Sequence, residues 1–278
     1  SVAQAIQASF HVDPWITGVA LTVLTAVVVL GGIQSISRAT SFIVPFMAIV
    51  YVMGGLAIIF LHYDKVIPAV ELICRSAFGL DAVVGGAIGT AIRYGVARGV
   101  FSNESGMGSA PIAAAAAKTD HPCRQALVSM TGTFLDTLVV CSITGIVLVI
   151  GGLYATSGDT GAALTSHTFN DLLPGPGGWL VTFGLVFFAY STILGWCYYG
   201  EKCASYLGGE KVVPVYRIIY VVTVLLGAGV NLGLVWAAAD VFNGLMAVPN
   251  LIALLLLSNV IVSETKDFIQ KRRSGELH

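Results

Sequence analysis

The sequence predicts an all-α polytopic membrane protein, on three observations. Apolar residues make up 56% of the 278 and charged residues only 10%, where soluble domains carry about a quarter charged. Mean hydropathy is +0.86. Long apolar runs recur at a length that suits a bilayer core of about 30 Å, which needs roughly 20 residues of helix. This balance excludes a water-soluble globule and a disordered chain. A net charge of −1 offers no basic face to nucleic acid. The cysteines Cys74, Cys123, Cys141, Cys197 and Cys203 form no CxxC pair, so neither a disulfide framework nor a zinc site is indicated. The chain opens on Ser1 without an initiator Met or a charged signal-peptide region, which reads as the C-terminal part of a longer protein.

Taken in order, spans are expected at Trp15–Gly31 and Val44–Tyr63. Asp64–Asp81 mixes Lys65, Glu71 and Arg75 with branched apolar residues, the pattern of an amphipathic helix on the outer surface. Ala82–Ala117 is too long and too glycine-rich for one plain span. Further spans are expected at Gln125–Gly151, Gly178–Gly200, Val213–Val230 and Val248–Ser263. The connection Gly152–Gly177 has the length of a loop that either carries function, as a lid over an outer vestibule, or is disordered. Leu232–Met246 contains Asp240 and Asn243 and runs into Pro249. At about 1.5 Å per residue it is too short to cross, which predicts an outer interfacial or re-entrant piece. Seven membrane segments result. Arg38, Lys118, Arg124, Lys202, Lys211, Arg217, Lys266, Lys271, Arg272 and Arg273 then share one side. By the positive-inside rule that side is the cytoplasm, with Ser1 outside and the C-terminus inside.

Chemistry concentrates in Phe101–Ala117, which reads FSNESGMGSAPIAAAAA. Gly106, Gly108 and Pro111 disfavour a continuous helix there. Small residues also suit a close helix–helix contact. Non-helical backbone within a bilayer must line a cavity or be buried in protein. Unwound helices near the midplane are how secondary transporters build substrate sites. Arg98 lies about 12 Å along the helix before Gly106, where it can snorkel to the outer interface as a surface anchor or as a gate. Arg93 lies farther out, as a surface anchor. Glu104 sits beside the break, where a buried carboxylate needs a partner or a proton. It serves either to tie the unwound segment or to take part in transport. Asp136, mid-way along Gln125–Gly151, must face protein. It acts as a hydrogen-bonded pin with Thr133 or Thr137, or in cation or proton handling.

Ser102-Asn103-Glu104-Ser105-Gly106-Met107-Gly108-Ser109-Ala110-Pro111 resembles the signature of the alanine or glycine:cation symporter family. The likeness continues through Arg93–Arg98, Thr133–Thr144 and Tyr190–Tyr199 and covers essentially the whole chain. Ser105 departs from the alanine usual in the family. The resemblance implies a leucine-transporter-like fold of two inverted five-helix repeats, with the second complete and the first truncated. Residues 1–63 would be the last two spans of the first repeat and 64–81 an outer connector. Residues 82–265 would be the second repeat, opening with a broken helix, and 266–278 a cytoplasmic tail. It further implies substrate contacts at Phe101, Gly106, Met107, Gly108, Thr192 and Trp196, and sodium ligation by Ser191 and Thr192. The implied activity is symport of alanine or glycine with sodium by alternating access in the plasma membrane. Sodium serves as coupling ion, and no other cofactor is implied. Lipid is the surrounding partner, and oligomeric state stays open. Proton coupling through Glu104 or Asp136 is the alternative. A membrane-embedded enzyme would need a nucleophile–base pair or metal ligands, and the spans hold no Cys/His cluster. A passive channel fits the single off-centre break less well.

Overall fold

The computed structural model describes residues 2–3, 6–7, 12–78, 87–230 and 232–277. Every regular element among them is helical. In chain order these are α1 (Pro14–Leu30), α2 (Gly32–Leu61), α3 (Tyr63–Phe78), α4 (Ala87–Asn103) and α5 (Ala110–Ala114). A long helix α6 follows over Pro122–Gly151, and its middle, Phe134–Cys141, is wound as a π-helix. Then come α7 (Gly161–Leu172), α8 (Pro176–Gly208), α9 (Val213–Gly227), α10 (Leu232–Leu256) and α11 (Ser258–Ser274). By length and composition, four helices among the described residues can cross a membrane: Gly32–Leu61, Pro122–Gly151, Gly177–Gly208 and Gly233–Leu256. Pro14–Leu30 is a shorter apolar helix. The chain is thus a polytopic, all-helical membrane protein.

The chain divides into two compact units. The first comprises Ser1–Ala91 and Val139–Leu232, the second Ile92–Leu138 and Gly233–His278. In the first, Tyr51, Ile58, Ile143, Val147, Ile150, Phe169, Leu172 and Val181 form the apolar core. Its density depends on a Gly54–Gly55 step in α2. A Cβ at Gly55 would run into the Ile143 side chain, and one at Gly54 would come within 2.9 Å of Leu180. Close packing of this kind compensates for the missing hydrophobic drive between helices in lipid. Tyr51 donates to or accepts from Thr144 at 2.7 Å, so its hydroxyl is satisfied within the core. Two tyrosines lock further helices to backbone: Tyr190 donates to the Leu24 carbonyl at 2.9 Å and Tyr220 to that of Ile193 at 2.8 Å. At the end of α8, Glu201 takes a two-pronged ion pair from Arg217, at 2.7 and 3.0 Å.

In the second unit, His121 sets the start of α6. Its Nδ1 accepts from the Cys123 amide at 3.2 Å, leaving Nε2 to donate to Asp267 of α11 at 3.1 Å. The ring also lies against Phe268, with centroids 5.1 Å apart. Lys271 completes the cluster at 2.8 Å from Asp267.

Several elements differ from the sequence reading. The piece expected at Leu232–Met246 and the span expected at Val248–Ser263 are replaced by one helix, Leu232–Leu256, that carries Pro249 inside it. Proline removes one backbone bond but need not end a membrane helix, because neighbours can satisfy the freed carbonyl. Ser258–Ser263 belongs instead to α11. The segment 32–43, read as a connection, is helical from Gly32, and one turn at Gly31 separates α1 from α2. Helix α9 ends at Gly227, short of the expected Val230. Much of the Gly152–Gly177 connection is helix α7, whose Phe169 and Leu172 enter the core of the first unit. The last residues of the expected 64–81 connector, 79–81, and the opening of Ala82–Ala117 at 82–86 lie outside the described residues.

Candidate functional site

The second unit holds the interrupted helix. Helix α4 stops at Asn103 and helix resumes at Ala110, with Pro111 in the first turn of α5. Between them Glu104, Gly106 and Gly108 all have left-handed backbone, at φ 56°, 81° and 85°. Glycine adopts that region freely, while glutamate does so at a cost. Local bonds hold the glutamate in place. The Ser105 amide donates to the Asn103 side chain at 3.0 Å, the Met107 amide to the Glu104 carbonyl at 3.3 Å, and the Ser109 hydroxyl to the Glu104 carboxylate at 2.8 Å. Ser109 is fully buried and Met107 nearly so. The Met107 side chain is therefore packed inside the protein.

Helix α6 flanks the break with a polar seam. Ser102 donates to both carboxylate oxygens of Asp136, at 2.9 and 2.8 Å. The Asn103 amide donates to Thr137 at 3.0 Å, and Ser105 and Thr133 share a hydroxyl contact at 3.2 Å. Asp136 and Thr137 lie in the π-helical segment, a distortion found often at functional positions. The sequence reading paired Asp136 with Thr133 or Thr137; Thr137 does donate to it, at 3.4 Å, and the shorter bonds come from Ser102.

Helix α10 meets the last turns of α4 and then the break itself. Arg98 forms a two-pronged ion pair with Asp240, both bonds at 3.0 Å, and its guanidinium lies 4.6 Å from the Trp236 ring centre. Phe101 packs edge-on against the same tryptophan, centroids 5.4 Å apart. Asn250 donates to the Gly106 carbonyl at 2.9 Å. Arg93 is exposed and sits over the neighbouring Tyr94 ring at 5.8 Å. Sequence reasoning missed Ser102, Trp236 and Asn250 as partners of the break. Asp240 carried a signal, being an acid in an apolar run, but nothing local tied it to Arg98.

Ser191, Thr192 and Trp196 belong to the first unit, on α8. Ser191 and Thr192 both donate to the Phe188 carbonyl, at 2.9 and 2.8 Å. This consumes their protons and leaves the oxygens able to act only as acceptors. Trp196 packs edge-on against Tyr199, centroids 5.8 Å apart. Thus Arg98, Phe101, Glu104, Gly106, Met107, Gly108 and Asp136 fall in one unit and the α8 residues in the other. Among the described residues no group of three or more His, Cys, Asp or Glu could hold a metal ion.

The whole chain, residues 1–278, matches the Sodium:alanine symporter family. It belongs to that family. It is 60% identical over 99% of its length to the sodium/alanine symporter AgcS of Methanococcus maripaludis, of which it covers 61%. It is 34% identical to the probable sodium/glutamine symporter GlnT of Bacillus subtilis, with 99% of the chain and 58% of that protein covered. From the same organism, the putative sodium/proton-dependent alanine carrier protein YrbD is 35% identical, with 99% and 60% covered. The chain therefore spans about three fifths of the length of the curated relatives it matches. These family members are named as symporters and carriers rather than enzymes.

Proposed function

We propose that this chain forms part of a secondary active symporter that moves a small neutral amino acid, alanine or glycine, with sodium across the plasma membrane by alternating access. The observation that carries the reading is the helix interrupted at 104–109, with left-handed backbone at Glu104, Gly106 and Gly108, in a member of the sodium:alanine symporter family. Backbone freed from a membrane helix can hold an amino acid's charged ends and a cation at once. In this reading Phe101, Gly106, Met107 and Gly108 contact the substrate from the broken helix. Thr192 and Trp196 contact it from α8, where Ser191 and Thr192 also supply neutral oxygens to sodium. The Arg98–Asp240 pair closes the outer end of the broken helix, and Glu104 and Asp136 tie the unwound segment. The architecture is the inverted-repeat fold, with 1–63 closing a first repeat, 64–81 an outer connector, 82–265 a second repeat and 266–278 a cytoplasmic tail.

A second reading is proton coupling, favoured by the two carboxylates, Glu104 and Asp136, that hold hydroxyl partners at the break. Proteoliposomes containing the full-length protein decide between the two. Accumulation of labelled alanine against its gradient only under an inward sodium gradient supports sodium symport. Uptake driven equally by a proton gradient without sodium supports the second reading. Equilibration without accumulation removes both.

A further inference from the structure

Asn250 stands apart from the other residues around the break. The local bonds within 103–109 arise from the segment itself, and the seam to α6 runs between side chains. Asn250 reaches from α10 to the unwound backbone, its Nδ2 donating to the Gly106 carbonyl at 2.9 Å. The adjoining amide of the same peptide group, Met107 N–H, donates to the Glu104 carbonyl at 3.3 Å. Both ends of the Gly106–Met107 peptide are therefore held. A peptide fixed at carbonyl and amide cannot rotate to present either group elsewhere. The fit is close on the next residue as well. A Cβ at Gly108 would lie 3.2 Å from Cβ, Cγ and Oδ1 of Asn250, so the glycine and the asparagine are matched in size. Pro249, immediately before, leaves the carbonyl four residues back without its helix donor, which loosens the turn of α10 that carries Asn250.

We infer that Asn250 is a positioning residue for the substrate site: its amide pins the Gly106–Met107 peptide and withdraws the Gly106 carbonyl from the groups that meet substrate or cation. This rests on the reading that residues 104–109 contact the transported amino acid. The chemistry requires a donor at this position. A carbonyl needs a donor opposite it, and an ionised carboxylate of the same shape has none. A carboxylate there would also place negative oxygen against negative oxygen. A protonated carboxyl regains one O–H donor.

That difference supplies the test, in the full-length protein reconstituted into liposomes. Asn250→Ala should raise the alanine concentration for half-maximal uptake by about five-fold, the scale of one net hydrogen bond, with maximal rate reduced less. Asn250→Asp should be impaired at neutral pH and recover toward the parent as the pH is lowered to about 5, since burial raises a carboxyl pKa. Asn250→Ala should show no such recovery. Glu104 is the other carboxylate in the segment, so each variant is compared with the parent at the same pH. Hydrogen exchange across residues 104–109 gives a second readout that does not depend on what is transported. It should be faster in Asn250→Ala at all pH values and faster in Asn250→Asp only near neutrality. Parent-like exchange and alanine affinity in Asn250→Ala would overturn the inference. So would an Asn250→Asp defect that ignores pH in both readouts. If the parent takes up no alanine but exchange follows this pattern, the pin stands and the substrate reading falls.

Discussion

Ser191 and Thr192 direct their protons to a single carbonyl, that of Phe188. A hydroxyl that donates in this way keeps its lone pairs for a cation, so the bond that looks like routine helix behaviour also orients an acceptor. Replacing both by alanine should raise the sodium concentration for half-maximal uptake by about ten-fold, or about 1.4 kcal/mol. Sodium dependence identical to the parent would take both residues out of the cation site. Trp196 carries the complementary question of substrate size. One methylene in an apolar pocket is worth only about 1–3 kcal/mol, so affinity alone separates alanine poorly from larger residues. Exclusion by a large rigid side chain is sharper. Trp196→Leu should let valine compete with labelled alanine while weakening alanine itself, whose methyl loses contact. A folded variant that still excludes valine as the parent does would show that Trp196 is not the wall.

At the scale of elements, α11 is held to the turn before α6 by the cluster of His121, Asp267 and Lys271. The bond from Lys271, at 2.8 Å, and then that from His121 hold the Asp267 carboxyl below its usual range. A carboxyl with a lowered pKa in the folded state contributes stability above the ordinary value of about 4, and that contribution disappears as pH falls through the lowered value. Docking of α11 should therefore persist through mild acid and weaken below about pH 4. Hydrogen exchange across residues 264–274, compared at each pH with Asp267→Asn, checks this. The variant should exchange faster at neutrality, and the difference should vanish in strong acid. An equal rate at neutrality would mean that the cluster does not hold the helix. The elements also show what sequence can reveal. The break at 104–109 is legible because glycine and proline act on their own backbone, so their effect is local. Pro249 misled for the same reason. It marks a local defect, but neighbouring groups decide whether a helix ends there, and α10 continues through it to Leu256. The bonds Arg98–Asp240 and Gly106–Asn250 join residues more than a hundred positions apart, and no local pattern encodes such pairs. Nor does any residue type announce the π-helical turn around Asp136.

For the whole molecule, the correction at α10 bears on how the chain threads the membrane. Within the second unit, Arg98 and Phe101 meet Trp236 and Asp240, while Gly106, farther along, meets Asn250. The contacts of α4 fall at 236–240 and that of the later break falls at 250, so the chain from α4 into the break runs in the same direction as α10. Against α6 the order reverses: Ser102 and Asn103 meet Asp136 and Thr137, and Ser105 meets Thr133. Lys118 and Arg124 follow the broken helix, and Lys266, Lys271, Arg272 and Arg273 follow α10, whereas residues 152–177 beyond α6 contain no Lys or Arg. Both parallel helices thus lead to basic residues and the antiparallel one leads away from them. Under the positive-inside rule the basic ends are cytoplasmic. A full crossing by α10, in place of the shorter span expected farther along, keeps that parity. The prediction is that Ser157→Cys, in an otherwise cysteine-free protein, reacts with a membrane-impermeant thiol reagent applied outside intact cells. Ser274→Cys should react only after the membrane is opened. The opposite pattern would invert the orientation and break the charge argument. Reaction of both from outside would mean an even number of crossings between residues 157 and 274 in place of the three made by α8, α9 and α10, and α10 would be the first helix to lose its place as a span.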